Sequence, residues 1–285
     1  MEKIGIVGCG LMGSGIAEMS ARAGFDVVVV EVSDAALEAG RARIWKSLER
    51  GVKAQKISAG DANDVQSRLT FNVDFNSLHD RTLIVEAVAE DVIVKSSIFK
   101  KLDDIVTVHD AVFATNTSSI PIVKLAMMTQ RPEQVVGLHF FNPVTVLKLV
   151  ELIPSLLTNQ STLERVTTFA VDGLGKEAIT APDRAGFVVN ALLIPFLLSA
   201  IRMVESGVAS AEDIDAGMVL GCAHPIGPLA LVDLIGLDTT KAVAETLYDE
   251  FKEPHMAPPP LLMRMSQAGL NGRKSGRGFF EYDAK

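Results

Sequence analysis

The chain has 285 residues, of which 48% are hydrophobic, and it carries a formal net charge of −8. This length and apolar content exclude intrinsic disorder and allow one large core or two domains of ordinary size. The acidic balance argues against a general nucleic-acid-binding surface, so a site for an anionic ligand has to be local.

A glycine-rich turn follows the first predicted strand, Lys3 to Val7, and leads into a helical run. Its glycines have the spacing G-x-G-x-x-G, which lets a strand turn tightly into a helix. The free N–H groups of that helix, with the positive end of its dipole behind them, favour a pyrophosphate. The predicted dinucleotide-binding turn consists of Gly8, Gly10, Leu11, Met12 and Gly13.

The second predicted strand, Phe25 to Glu31, ends in a carboxylate eighteen residues after Gly13. A dinucleotide fold places an acid here to accept hydrogen bonds from the adenosine ribose hydroxyls, and the same acid repels a 2′-phosphate. Glu31 therefore favours NAD over NADP. The alternative is an acid that simply leaves the sheet into solvent.

A helix is predicted over Asp34 to Lys53, and four cations recur along it at steps of three and four. This spacing places them on one helix face. On an acidic chain such a face, with Ser47 at its edge, fits the ADP phosphates of coenzyme A, but an ordinary solvent-exposed face explains it equally well. The four cations are Arg43, Lys46, Arg50 and Lys53.

The strand Ala111 to Thr115 leads into T-N-T-S-S-I-P. Ser118 or Ser119 is predicted to cap the helix that begins near Pro121. The turn also stands at the carboxyl end of a parallel strand, where ligands bind in open α/β sheets. Ser118 is therefore both a candidate cap and a candidate ligand contact.

His139 closes the apolar strand Val135 to His139, and Glu151 lies in the next predicted strand, Val146 to Ile153. A carboxylate among apolar side chains needs a donor nearby, and a turn between the strands would bring His139 to it. Such a carboxylate keeps one imidazole nitrogen protonated and leaves the other to take a proton from a substrate. A purely structural histidine is the alternative.

Val- and Ile-rich strands alternate with helical patterns, and strand signals stop after Ile153. This predicts the class α/β, with a mainly parallel sheet covered on both faces and an antiparallel last strand at its edge or end. Helical patterns follow, and Asp183 or a neighbour is predicted to open a long helix. We place the domain boundary near Pro182, which gives domains 1–182 and 183–285.

An uncharged run at 185–201 contains Asn190 and Pro195 and barely reaches the length of a membrane-spanning helix. We therefore expect a buried or interface helix and no membrane partner. Two cysteines, Cys9 and Cys222, are too few for a disulfide framework. With no secretory signal before the first strand, these features predict a cytoplasmic protein.

Motifs spread over nearly the whole chain give it a family resemblance. In chain order they are G-I-V-G-C-G-L-M-G-S-G-I-A, V-E-A-V-A-E-D, A-T-N-T-S-S-I, V-V-G-L-H-F-F-N-P, R-A-G-F-V-V-N, H-P-I-G-P, G-L-D-T-T and G-R-K-S-G-R-G-F-F. With them, the sequence resembles the L-3-hydroxyacyl-CoA dehydrogenases, including bacterial 3-hydroxybutyryl-CoA dehydrogenases. The resemblance implies an N-terminal Rossmann domain that binds NAD and an all-α C-terminal domain that binds substrate and forms a homodimer.

The resemblance also implies roles for individual side chains. His139 becomes the base that removes the 3-hydroxyl proton, and Glu151 becomes its orienting partner. Ser118 and Asn190 match positions that hydrogen-bond the reacting oxygen, and Glu31 matches the ribose ligand. The residues implied to contact the nicotinamide half of NAD are Glu90, Lys95, Ser118 and Asn142, and those implied to contact coenzyme A are Ser47, Arg50, Lys53 and Lys56. No metal ion is expected.

Three departures from the family pattern limit these assignments. Asn190 is followed by Ala191 where the family often has Asn-Arg, and the turn reads N-P-V-T-V-L where N-P-V-P-V-M is common. The family's later coenzyme A lysine falls on Ala54, so Lys53 or Lys56 would have to replace it.

The leading hypothesis is a reversible, NAD-dependent oxidation of an L-3-hydroxyacyl-CoA, such as 3-hydroxybutyryl-CoA, in β-oxidation or four-carbon acyl-CoA metabolism. One alternative on the same fold is a dehydrogenase of a sugar acid such as L-gulonate, against which the basic helix face argues. Another alternative is a non-catalytic NAD(H)-binding or structural protein. The intact set of Ser118, His139, Glu151 and Asn190 argues against it.

Overall fold

The computed structural model describes residues 2–283. The chain divides into two compact units, Met1–Arg184 and Ala185–Lys285. The first unit contains every strand of the sheet, and the second is built from helices.

Eight strands form one sheet in the first unit, in the order β3-β2-β1-β4-β5-β6-β7-β8. All neighbouring strands run parallel except β6 and β7, which are antiparallel. The strands are β1 Lys3–Val7, β2 Asp26–Val30, β3 Leu69–Asn72, β4 Leu83–Glu86, β5 Val112–Thr115, β6 Val135–Phe140, β7 Leu149–Pro154 and β8 Glu177–Thr180. The mainly parallel sheet that the alternating pattern predicts is confirmed.

Helices cover the sheet in the first unit and form the whole of the second. Those of the first unit are α1 Leu11–Arg22, α2 Asp34–Lys53, α3 Ala59–Ser67, α4 Val92–Ile105, α5 Ile122–Ala126 and α6 Gln160–Thr168. Those of the second are α7 Val189–Glu205, α8 Ala211–Ala216, α9 Pro228–Ile235, α10 Leu237–Phe251 and α11 Pro260–Gln267. The predicted bounds of α2 are those observed.

The sheet owes its stability to consecutive buried β-branched side chains in its central strands. In β2, D-V-V-V-V, all four valines are buried, as expected of a strand covered on both faces. The order of strands reverses between β1 and β4, which are neighbours in the sheet. Such a switch point opens a crevice at the carboxyl ends of the strands, where ligands of open α/β sheets bind.

Two strands escaped the sequence analysis, β3 and β8. In β3 only Leu69 is buried, and the strand has four residues, so its apolar alternation is short. In β8 no residue is buried because it is the outer strand, paired only through β7. The prediction that β7 lies at the edge or end of the sheet is therefore wrong, and β7 also begins at Leu149 rather than at Val146.

The predicted cap of α5 is also wrong. Neither Ser118 nor Ser119 caps this helix; the Asp183 carboxylate accepts hydrogen bonds from the N–H groups of Ile122 (2.8 Å) and Val123 (2.9 Å). Asp183 therefore does not open a long helix, and α7 begins six residues later. A contact between residues sixty-one positions apart leaves no local signal in the sequence.

The helical unit has its own apolar core, to which α7 contributes Leu197, Leu198 and Ile201. Its C-terminal segment is fixed by the buried Asp233 carboxylate, which accepts hydrogen bonds from the N–H groups of Phe279 and Phe280. Within residues 2–283, no helix is long and apolar enough to cross a membrane.

Candidate active site

The glycine turn joins β1 to α1 at the switch point of the sheet. Gly8 has φ +93°, a backbone conformation that strains other residues, and a Cβ atom on Gly13 would lie 1.9 Å from the Gly8 carbonyl oxygen. A Cβ on Gly10 would meet no protein atom within 4 Å. The first and third glycines therefore let strand and helix meet closely, while Gly10 borders open space beside the uncapped N-terminus of α1.

A cleft of about 830 Å³ lies above this turn. It is bordered by the carboxyl ends of β1, β2 and β4 and by the first two turns of α4, and its lining is mostly apolar. Side chains from this lining include Val32, Phe75, Val88, Ile93, Val94 and Ile98, with the Glu31 carboxylate among them. This volume and lining are typical of a small-molecule or cofactor site.

Glu31 follows β2 and lies against the glycine turn. Its Oε1 accepts a hydrogen bond from the Cys9 N–H at 2.5 Å, and its Oε2 accepts one from the Val32 N–H at 2.9 Å. On the other side, Arg43 of α2 donates from Nη1 to the Cys9 carbonyl oxygen at 3.1 Å. Arg43, predicted to belong to the basic face of α2, is thus directed to the turn.

The buried Cys9 thiol lies in the same turn and faces α2, where a Cβ on Gly40 would meet Cys9 Sγ at 2.4 Å. Burial first, and then the Glu31 charge, raise the pKa of the Cys9 thiol to about 12, with Arg43 acting in the opposite direction. The thiol is therefore neutral at physiological pH and packs as a small apolar group.

His139 and Glu151 stand directly opposite each other in the antiparallel pair β6 and β7. Nδ1 of His139 lies 2.7 Å from Oε2 of Glu151, and the two residues are 6% and 0% exposed. The ring of Phe141 packs against the imidazole edge to face, with centroids 4.7 Å apart. Because a carboxylate only accepts, Nδ1 carries the proton and the lone pair of the neutral ring is on Nε2.

A second buried ion pair stands at the end of β4. Nζ of Lys95 lies 2.7 Å from Oε1 of Glu86, and both side chains are at most 1% exposed. The other oxygen of Glu86 accepts a hydrogen bond from the Thr115 hydroxyl at 2.7 Å, so the pair links β4, β5 and α4. Sequence analysis missed Glu86, although an acid at the end of the buried run L-I-V-E was a signal that it needs a partner.

Glu90 organises the turn after β5. Its Oε1 accepts hydrogen bonds from the Thr117 hydroxyl (2.5 Å) and from the N–H groups of Ser118 (2.9 Å) and Ser119 (3.0 Å). Desolvation by burial raises the pKa of Glu90, but the Lys95 charge and these hydrogen bonds outweigh it and hold the pKa below its ordinary value. Glu90 is therefore an ionised acceptor around which the serine turn folds.

Comparison with known proteins gives the family. The profile described as the 3-hydroxyacyl-CoA dehydrogenase NAD-binding domain matches residues 3–184, and that of the 3-hydroxyacyl-CoA dehydrogenase C-terminal domain matches residues 186–282. The chain belongs to the 3-hydroxyacyl-CoA dehydrogenase family. Its first unit is the NAD-binding domain of that family, and the predicted family resemblance and cofactor are confirmed.

Relatives of this dehydrogenase match it from end to end. A 3-hydroxybutyryl-CoA dehydrogenase of Mycobacterium tuberculosis is 56% identical over 282 residues, which cover 99% of each chain. The crystal structure of M. tuberculosis FadB2 superposes with a TM-score of 0.98 at 56% identity, covering 99% of each chain. That of (S)-3-hydroxybutyryl-CoA dehydrogenase from Ralstonia eutropha gives 0.94 at 44% identity, covering 100% of each chain.

The turn and the cleft fit the NAD that the family binds. The open space beside Gly10 and the helix N-terminus suit a pyrophosphate, and Glu31 suits a ribose. The Lys95 ammonium is committed to Glu86 and also lies 3.4 Å from Glu90 Oε2. Lys95, Glu86 and Glu90 are not among the residues that line the cleft.

The remaining predicted residues of the dehydrogenase fall in four places. Ser118 is half-buried beside Glu90, and exposed Asn142 is the second residue of the loop after β6. Asn190 lies in the first turn of α7, in the helical unit. Of the residues predicted to contact coenzyme A, Arg50 and Lys53 are exposed on α2, Ser47 is half-buried there, and Lys56 lies beyond the end of the helix.

Asn116 is a further residue that sequence analysis missed. Its Oδ1 accepts a hydrogen bond from the Phe140 N–H at 2.9 Å, which ties the end of β5 to the end of β6 beside His139. The motif A-T-N-T-S-S-I contains it, but nothing local distinguishes it from an ordinary turn residue. Among residues 2–283, no group of three or more His, Cys, Asp or Glu side chains is arranged to hold a metal ion.

Proposed function

We propose that the protein catalyses the reversible, NAD-dependent oxidation of L-3-hydroxybutyryl-CoA to the 3-ketoacyl-CoA. The buried His139–Glu151 pair, with Nδ1 and Oε2 2.7 Å apart on the NAD-binding domain of this family, is the observation that carries the proposal. The relatives named 3-hydroxybutyryl-CoA dehydrogenase support a four-carbon acyl group.

His139 acts as the base through Nε2. The proton of the 3-hydroxyl group moves to Nε2, the O–H electron pair becomes the second bond of the new carbonyl, and the hydrogen on C3 leaves with its electron pair. When bound, NAD supplies the hydride acceptor. Glu151 holds the ring through Nδ1 and stabilises the positive charge that the ring gains.

Ser118 and Asn190 serve as hydrogen-bonding partners of the reacting oxygen. Ser118 follows β5, the strand beside the one that ends near His139, and its N–H is held by Glu90 at 2.9 Å. Support for Asn190 comes from its match to the family motif and its place in the first turn of α7. Glu90, Lys95 and Asn142 line the nicotinamide half of the cofactor.

The basic face of α2 binds the phosphates of coenzyme A. Arg50 and Lys53 are exposed there. Half-buried Ser47 lies one turn before Arg50, and Lys56 lies just beyond the end of the helix. The chain has a net charge of −8, so this local concentration of positive charge attracts an anionic substrate more strongly than the rest of the acidic chain does.

We further propose that residues 1–182 bind NAD and that 183–285 bind substrate and form a homodimer. Large apolar side chains exposed on the helical unit support dimerisation, with Leu192 and Leu220 73% and 85% exposed. Sedimentation of the purified chain at twice the monomer mass would support the dimer, and a monomer at micromolar concentration would refute it.

The free thiols of Cys9 and Cys222 support a cytoplasmic enzyme.

One assay tests the reaction and its substrate class. NADH oxidation is followed with acetoacetyl-CoA, with longer 3-ketoacyl-CoAs and with the keto form of a sugar acid. Fastest turnover with acetoacetyl-CoA is expected. Turnover of the sugar acid alone would favour the gulonate-type alternative, and no turnover of any of them would favour a non-catalytic protein.

The same assay tests the base. His139→Ala should lower kcat by roughly a hundredfold or more while NADH still binds. The exposed His109 provides a matched control, since His109→Ala removes an imidazole from the same unit without touching the cleft. Near-normal turnover in His139→Ala would remove His139 from the mechanism.

A further inference from the structure

Lys176 is buried in the first unit, immediately before β8, and it is only 4% exposed. Its Nζ donates hydrogen bonds to two backbone carbonyl oxygens, those of Val144 (2.5 Å) and Leu147 (2.6 Å). Within the described part of the chain, 2–283, this ammonium forms no ion pair with a carboxylate. It is therefore a buried cation held by carbonyl dipoles.

Burial of an ammonium group without a carboxylate is unfavourable, and lysine is rarely buried unless it is paired. Desolvation lowers the pKa of Lys176 accordingly. An apolar side chain such as methionine would leave the two carbonyl oxygens of Val144 and Leu147 without this donor. The ammonium group therefore holds the backbone of the loop between β6 and β7.

That loop, residues 141–148, joins the strand of His139 to the strand of Glu151. Val144 is buried, and a Cβ on Gly15 would lie 2.9 Å from Val144 Cβ, so this part of the loop packs on α1 just beyond the glycine turn. Leu147 follows the turn at 144–146 and lies two residues before β7 begins. Lys176 therefore binds the loop backbone at two points. One is beside α1, and the other is shortly before β7, the strand that carries Glu151.

We propose that Lys176 is a positioning residue for hydride transfer, which holds the 141–148 loop on α1 so that Asn142 and the His139–Glu151 hairpin keep their places. The inference rests on the proposed function. This positioning role differs from a purely structural role in one respect. Loss of the two Lys176 hydrogen bonds should slow the chemical step in molecules that still fold and bind NADH. Misplacement of reacting groups by a fraction of an ångström is enough for such an effect.

The test compares Lys176→Met with Lys148→Met in a single-turnover experiment. Enzyme loaded with NADH is mixed with acetoacetyl-CoA in a stopped-flow instrument, which gives the rate constant of NADH oxidation and its amplitude. Lys148 is the matched control because it lies in the same loop, 79% exposed, 3.6 Å from Glu177. The amplitude reports the fraction of competent sites, and the rate constant reports their alignment.

Lys176→Met should lower the rate constant about tenfold or more, whereas Lys148→Met should match the wild type. An unchanged rate constant in Lys176→Met, with only a reduced amplitude or a lower Tm, would assign Lys176 to stability and overturn the proposal. Should Lys176→Met not fold, Lys176→Gln, which keeps N–H donors but not the charge, is judged by the same two quantities. A wild type that fails to oxidise NADH with acetoacetyl-CoA would instead refute the proposed function.

Discussion

Three carboxylates at or near strand ends in this sheet perform different tasks because their neighbours differ. Glu31 accepts a hydrogen bond from a backbone N–H of the glycine turn, Glu86 is paired with a buried ammonium, and Glu151 holds an imidazole. Each acid is close to a donor, as burial requires. The partner, rather than the acid itself, distinguishes the three: Glu86 links β4, β5 and α4, whereas our proposal gives Glu31 to a ribose and Glu151 to the orientation of His139.

Glu31 should determine the preference for NAD. Glu31→Ala removes the charge that repels a 2′-phosphate, and the nearby Arg43, which donates to the Cys9 carbonyl oxygen, would then offer a cation to that phosphate. We expect the ratio of kcat/KM for NADH to kcat/KM for NADPH to fall by about tenfold or more. Glu38→Ala, which removes an exposed acid from α2, is the control, and an unchanged ratio in Glu31→Ala would contradict the role of Glu31.

At the scale of elements, α1 meets β1 through glycines that have distinct tasks, and this can be tested with one methyl group. Gly13→Ala places a Cβ 1.9 Å from the Gly8 carbonyl oxygen and should lower the free energy of unfolding by roughly 1–3 kcal/mol. Gly10→Ala places its Cβ in open space and should leave Tm unchanged while weakening NADH binding. Thermal unfolding and NADH titration of both variants separate the effects, and the opposite pattern would refute this division of tasks.

The loops after β4 and β5 are joined through Glu90, and this joint should depend on pH. Because the pKa of Glu90 in the folded chain lies below its ordinary value of 4.5, its ionised form stabilises the fold at pH values above that ordinary value. The stabilisation is lost as the pH falls through the lowered pKa. Wild type should therefore exceed Glu90→Gln in Tm at pH 7, and the difference should shrink in acid; a constant difference would contradict the linkage.

The sequence predicted those elements whose residues signal their own surroundings. The four valines of β2 and the three- and four-residue spacing in α2 are local signals: α2 was predicted with its observed bounds, and β2 was predicted one residue too long at each end. Strand β8 is recognisable only from its partner β7, because an outer strand with exposed side chains has no apolar pattern of its own. Asp183 acts on α5 through contacts that only the folded chain makes.

The site was predictable to a similar degree. His139 and Glu151 are in one hairpin, so their pairing follows from the register of its two strands. The glycine turn follows from the spacing of its glycines. Glu90 and Lys95 were singled out through motifs, but their network with Glu86 depends on how β4, the loop after it and α4 meet in the folded chain. The clamp by Lys176 could not be predicted, because its acceptors are backbone carbonyls thirty-two and twenty-nine residues away.

For the whole molecule, charge is distributed unevenly, and this should steer the substrate. Arg50→Glu combined with Lys53→Glu should raise KM for acetoacetyl-CoA by about tenfold at low salt and leave KM for NADH unchanged, with a smaller effect at high salt. Arg41→Glu lies on the same helix outside the basic face, paired with Glu38, and serves as the control. Equal changes in both KM values would indicate a general loss of structure.

His139 and Glu151 are carried by a single hairpin, twelve residues apart. Exchange of the segment from β6 through β7 between relatives would therefore move both side chains together and keep their register. Residues elsewhere in the chain can then change without separating the pair. A one-residue deletion within β7 would have the opposite effect, because it would turn Glu151 to the other face of the sheet and leave His139 without this partner.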